Sequence, residues 1–297
     1  MLSALFLLGG FFALNFVFAD NSSTSLTVGN EAPTVSNVDV SPSPIVLTEN
    51  TSTTVTITAT ITDNNGCQSV FASGSVQAVL YRSGLAATSS CTSDENNCYR
   101  NITLFEIGNT CTDGSDTTGD ASGTIPVWYF AEATDASSTF SGETWQATVT
   151  AQDLDGATAT SSDGTPPELN TTLALNITAS ISFGTLSPNT SSSIAQLQVA
   201  TTTNTGNYNG LDVEFSGTNM TSGGDTIAAT QERYGTSSAA YNSLTHQLTT
   251  SPVVRDVNLG RNTSSATTAA SSTFWGIAVP GGQPNGSYTG TNTFTAK

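Results

Sequence analysis

Positive charge is what this sequence has least of. Six Lys and Arg residues face 23 Asp and Glu in 297 residues, a formal net charge of −17, and Lys297 is the only lysine. Gripping nucleic-acid phosphates or anionic lipid takes clusters of Lys and Arg, so neither partner is expected. An acidic surface instead repels its neighbours or collects cations. Histidine is nearly absent as well. His246, within Ser243-Leu-Thr-His-Gln-Leu-Thr249, is the only one, and a Ser-His-Asp hydrolase would have to use it. The sequence has no Gly-x-Ser-x-Gly elbow, no His-Glu-x-x-His, no P-loop and no dinucleotide fingerprint. The expectation is a protein that is not an enzyme. The competing enzymatic reading is a glycoside hydrolase-like pair of carboxylates drawn from Glu106, Glu132 and Glu143, whose separation in space a sequence does not reveal.

Long apolar runs are also scarce. The one present, Leu2 to Ala19, ends in Val17-Phe18-Ala19 before Asp20, which fits a signal-peptidase cut. Residues 1–19 are therefore expected to be a signal peptide. No Lys or Arg precedes the run, so a retained N-terminal anchor helix of about 18 residues is the alternative. Either reading puts the rest of the chain outside the cell. Residues 20–30 form a polar leader around Leu26-Thr-Val28. It is either a flexible tail or a donor strand that completes a neighbouring subunit's sheet. Four cysteines, Cys67, Cys91, Cys98 and Cys111, suit two disulfides in an exported protein, with all three pairings open.

What is abundant is Ser and Thr, 91 of the 297 residues, arranged against apolar residues with period two. In Thr53-Thr-Val-Thr-Ile-Thr-Ala-Thr-Ile-Thr62, Val55, Ile57, Ala59 and Ile61 share one face of an extended chain and threonines take the other. Asp63-Asn-Asn-Gly66 then supplies turn chemistry. Trp145, Ala147, Val149 and Ala151 repeat the idiom before Asp153-Leu-Asp155-Gly156. Leu173, Leu175, Ile177, Ala179, Ile181 and Phe183 repeat it again. The fold class is thus all-β, with two consecutive antiparallel β-sandwich domains. The first spans 31–163, with strands at 76–81 and 125–131 and a Cys-rich loop over 83–123 that disulfides would staple. Gly164-Thr-Pro-Pro-Glu168 reads as a stiff linker. The second domain spans 169–297, and its strands close in a final hairpin of 274–279 with 287–296.

The block Thr-Val-Thr-Ile-Thr-Ala-Thr-Ile-Thr-Asp-Asn-Asn-Gly and the block Trp-Gln-Ala-Thr-Val-Thr-Ala-Gln-Asp-Leu-Asp-Gly resemble the Ig-like and PKD-like domains of prokaryotic surface proteins. The C-terminal strands are similar to those of β-sandwich domains in cell-envelope proteins. The resemblance implies a spacer, envelope or adhesion component: a surface layer, fibre subunit or adhesin part whose partners are other surface proteins or copies of itself joined by strand addition.

Three candidate sites fit that setting. Asp113, Asp116 and Asp120 place three carboxylates in a Gly-containing loop, the kind of oxygen cluster calcium prefers. Sequons for glycosylation occur at Asn21, Asn50, Asn101, Asn170, Asn176, Asn189, Asn219, Asn262 and Asn285, although this Ser and Thr content supplies a similar number by chance. Trp128, Tyr129 and Trp275 are the aromatics that would stack on a glycan. For the first two, the ordinary expectation is Trp128 and Phe130 in the core with Tyr129 at its boundary.

Overall fold

A computed structural model describes residues 22–72, 75–86, 90–178 and 180–297. The expected signal or anchor at 1–19 and the sequon at Asn21 lie outside the described residues. Residues 1–30 and 31–297 form two separate units. Within the first, residues 22–30 carry no strand, and Leu26 and Val28 are 89% and 76% exposed. Among the described residues no helix is long and apolar enough to cross a membrane.

The second unit is nearly all β. Its first half contains β1 (Thr34–Ser41), β2 (Ser52–Thr62), the four-residue helix α1 (Gln68–Phe71), β3 (Val76–Arg82), β4 (Cys98–Thr103), β5 (Phe105–Ile107), β6 (Thr118–Trp128), β7 (Trp145–Gln152) and β8 (Thr158–Ser162). Two four-stranded antiparallel sheets result, in the orders β1-β2-β6-β5 and β4-β3-β7-β8. Val55, Ile57, Ala59 and Ile61 of β2 and Trp145, Ala147, Val149 and Ala151 of β7 are all buried in one core with Val76, Ala78 and Leu80 of β3. Each large aliphatic side chain enclosed this way stabilises by about 1.5–3 kcal/mol relative to exposure.

The stretch expected as a loop, 83–123, instead holds β4, β5 and the start of β6. Gly119 and Gly123 explain why the pattern hid them. A Cβ on Gly123 would lie 2.5 Å from the Thr103 carbonyl oxygen, and one on Gly119 would lie 2.6 Å from the Phe71 ring. Glycine is there because neighbouring chain passes too close for a side chain, and it weakens the β signal. The cysteines pair as Cys67–Cys111 and Cys91–Cys98, and none is free. The expected linker at 164–168 is fastened to the first half: the Trp145 amide donates to the Pro167 carbonyl at 2.8 Å. Leu169 forms a parallel bridge with Ile45, and both are fully enclosed in the first core.

The second half contains β9 (Leu175–Ile177), β10 (Thr190–Ser191), β11 (Gln198–Asn204), β12 (Leu211–Gly217), β13 (Met220–Ser222), β14 (Asp225–Ile227), β15 (Glu232–Gly235), β16 (His246–Gln247), β17 (Val253–Leu259), β18 (Ala270–Val279) and β19 (Asn292–Ala296). One sheet runs β16-β15-β18-β11-β9 with β10 beside β18, a second runs β17-β12-β19, and β13-β14 pair alone. Their core gathers Val213, Phe215, Tyr234, Leu248 and Trp275.

Two expectations are corrected here. Only 175–177 of the alternating run 173–183 pairs as a strand; Ile181 and Phe183 pack on the core without joining a ladder, and Ala179 lies outside the described residues. The last two strands do not form a hairpin, because β18 pairs with β11 and β15 while β19 pairs with β12 in the opposite sheet.

Candidate functional site

The strongest concentration of charge chemistry lies where the two halves meet. Glu132 follows β6 and is 7% exposed. Its backbone is fixed first: its amide donates to the Asn96 carbonyl at 2.8 Å, and its carbonyl accepts the Trp145 indole N–H at 2.9 Å. Each carboxylate oxygen is then taken by one arginine. Arg82 Nε donates to Oε2 at 2.6 Å and Arg261 Nη2 to Oε1 at 2.6 Å. Arg82 sits at the end of β3, lies over the Phe140 ring at 3.8 Å and also pairs with Glu143. Arg261 comes from the second half, just after β17, and its Nη1 donates to Asn96 Oδ1 and the Phe130 carbonyl, both at 2.8 Å.

Sequence-local chemistry presents the first half's side of this contact. The Cys91–Cys98 bridge closes a short loop, and Asp94 Oδ1 accepts the Asn96 amide at 2.9 Å in an Asx-type turn. That turn aims Glu95 and Asn96 at residues 263–265. Asn96 Nδ2 donates to the Thr263 carbonyl, and the Glu95 carboxylate accepts the Ser265 amide at 2.6 Å and its hydroxyl at 2.9 Å. Asn262 Nδ2 donates to the Tyr129 hydroxyl, and burial pushes that phenol above its ordinary range. Two arginines and two glutamates balance to zero charge, and each has a partner. Chemically, such an arrangement fixes one half against the other.

The candidate residues are distributed as follows. Glu132 and Glu143 do come together, but on Arg82. Glu106 instead accepts the Thr110 amide at 2.6 Å in a turn. Asp113 accepts the Ser115 hydroxyl and amide at 2.6 and 2.8 Å, and Asp116 accepts the amides of Thr112 and Asp113 at 2.8 and 3.0 Å. These bonds hold both carboxyls below the usual carboxylate range. Asp120 accepts the Thr60 hydroxyl across the sheet at 2.8 Å. Among the described residues no three His, Cys, Asp or Glu side chains gather as a metal-holding group.

Two of the three stacking candidates are enclosed. Trp275 is 0% exposed and Tyr129 is buried, so neither offers a face to a sugar. Trp128 is the half-buried residue, stacked on Phe130 with ring centroids 6.0 Å apart. Tyr129 is enclosed because Asn262 of the second half covers it.

Six sequon asparagines, Asn50, Asn101, Asn176, Asn189, Asn219 and Asn285, are exposed, and Asn170 is half-buried. Asn262 is 3% exposed and is bonded at both ends, its Oδ1 accepting the Ala269 amide. Glycopeptide mapping of protein secreted from a glycosylating host is expected to find Asn262 bare. A glycan there on folded protein would contradict this junction.

No protein-family model matches the chain. No curated protein matches it either. Among solved structures, the crystal structure of dimeric latent PorU from Porphyromonas gingivalis is similar over 90% of this chain and 20% of its own, at 13% sequence identity and a TM-score of 0.23. The chain thus spans one fifth of that chain's length, and a likeness at that score carries no argument about function.

Arg82, Arg261 and Asn96, which make the junction, go unmarked in the sequence, and Asn262 stands out there only as a sequon. One signal was available: when a chain has six cations, each is informative, and Arg261-Asn262 directly follows a strand and Gly260.

Proposed function

We propose that this chain is an exported, non-catalytic structural or interaction component of a cell surface, in which two Ig-like sandwich modules act as a single stiff element. The observation that carries the reading is the junction, where scarce arginines are committed to holding one half against the other through Glu132. The Ig-like assignment of the first half is supported by its strand order. With the eight strands lettered A, B, C, C′, D, E, F and G, the sheets are A-B-E-D and C′-C-F-G, the immunoglobulin arrangement with one added edge strand. Two disulfides and no free cysteine accord with an oxidising, extracellular setting. The leader, with Leu26 and Val28 exposed outside any strand, is suited to strand addition onto a second copy.

The test has two arms. Electron microscopy of intact cells carrying a tagged copy is expected to find it on the outer surface, and an intracellular location would end the reading. Deleting residues 20–30 is expected to abolish assembly of purified protein while leaving its unfolding transition unchanged. Assembly that proceeds equally well without them removes strand donation.

A further inference from the structure

The second half is open along one side. There β17, the free edge of the β17-β12-β19 sheet, faces β15 and β16 across a groove of about 280 Å³. Phe215 and Tyr234 form its floor, with Tyr234 stacked on Trp275 behind it at 4.7 Å. Thr236, His246 and Arg255 reach the groove from its rim and walls.

Arg255 is the anomaly. It pairs across from Val213 on β12 and shares the inward, half-buried side of β17 with Val253 and Val257, a face that in a sandwich is ordinarily apolar. Its Nε donates to the Tyr234 hydroxyl at 3.2 Å. Among the described residues it has no ion pair, and its two terminal amino groups have no hydrogen-bond partner. His246 lies beside it, its ring 5.4 Å from that of Tyr234. Burial, and then the Arg255 charge, hold the imidazole below its ordinary range.

Among the described residues no carboxylate pairs with these two groups. Asp256 also lines the groove, but alternation along β17 gives it the exposed side of the strand. Glu232 of β15 is buried, pushed up by that burial, and accepts from Asn292 Nδ2 at 2.7 Å. The other nearby cation, Arg233, turns to Tyr241 and the Asn242 carbonyl. In a chain of net charge −17, Arg255 thus presents to this groove a positive charge that no ion pair neutralises.

We propose that the groove binds a carboxylate carried on one sugar-sized ring, with a uronic acid as the type. The free end of a guanidinium is a planar fork that matches a carboxylate with two parallel hydrogen bonds. The volume suits a single monosaccharide-sized ring and not an extended polymer. Thr236 and His246 supply hydrogen-bonding partners for ring hydroxyls. The proposal uses different residues from the junction and does not depend on where the protein resides.

The experiment is an NMR titration of the folded protein with glucuronate, with glucose and acetate as separate controls. Glucuronate is expected to move the His246 imidazole signals and raise its titration midpoint, because a bound anion favours the protonated ring. Its affinity therefore rises as pH falls from about 8 to about 5. Arg255→Gln is expected to weaken binding by about 10- to 100-fold. His246→Gln should flatten the pH dependence while binding persists at high pH. Silence of these signals towards glucuronate, or an equal response to glucose or acetate, overturns the proposal. So does an Arg255→Gln protein that binds normally but self-associates, because Arg255 would then only guard a free strand edge.

Discussion

Glu132→Ala is expected to destabilise the folded chain by about 3–5 kcal/mol, the usual result of removing one member of a buried ion network. The reason is the two arginines left behind. Each carboxylate oxygen of Glu132 neutralises one guanidinium at 2.6 Å; without it Arg82 keeps Glu143, but the Arg261 charge stays enclosed between the two halves with no ion pair among the described residues. Chemical denaturation followed by tryptophan fluorescence measures the loss. Replacing the three most buried members with apolar residues, as Glu132→Leu with Arg82→Met and Arg261→Met, is expected to recover much of it, because only Glu143, the most exposed of the four, then loses its partner. A loss below about 1 kcal/mol for Glu132→Ala would mean that water reaches the cluster and screens it as at a surface.

Removing the Cys67–Cys111 bridge, as a double substitution to alanine, is expected to cost about 4 kcal/mol by the chain-entropy account of a 44-residue separation. Removing Cys91–Cys98, which spans 7 residues, is expected to cost about 2 kcal/mol on the same account. Thermal melting of the two double mutants checks the order. The short bridge also shapes the turn that presents Glu95 and Asn96 to the second half. Its removal should therefore couple to Glu132→Ala in a double-mutant cycle, whereas the long bridge should be additive with it. A short bridge costing more than the long one would show that the junction, and not loop closure, sets its value.

The strands easiest to read in the sequence were those with one wet face. In β2 and β7 the threonines on the outer side keep the period of two visible, and Val55 through Ile61 fall where alternation puts them. β6 was legible only in its second part, because Gly119, Asp120 and Gly123 occupy its start and two of them are required by close packing. The run 173–183 shows the converse: perfect alternation, yet pairing over three residues, since period two states which side is apolar and not whether a partner strand is present. The final two strands are neighbours in sequence but belong to opposite sheets, a choice made by tertiary packing.

The site was harder to read than the fold. In the sequence, Trp128 and Phe130 read as core residues of their own sandwich, with Tyr129 at the boundary on the side away from that core. The second half covers that side, so Tyr129 is enclosed and Trp128 remains half-exposed. Glu106, Glu132 and Glu143 stand in the sequence as three carboxylates of unknown separation, and Arg82, on which Glu132 and Glu143 meet, lies about 50 residues before Glu132 and leaves no local mark.

Proteases of the trypsin type cut after Lys and Arg, and the burial of Arg82 and Arg261 bears directly on them. Arg100, Arg233 and Arg255 lie within β4, β15 and β17, Arg82 ends β3, and Arg261 is clamped on Glu132. Cleavage after any arginine thus requires an extended segment to leave its neighbours. The rate at which such an enzyme nicks the native chain becomes a direct clock for the opening of its sheets.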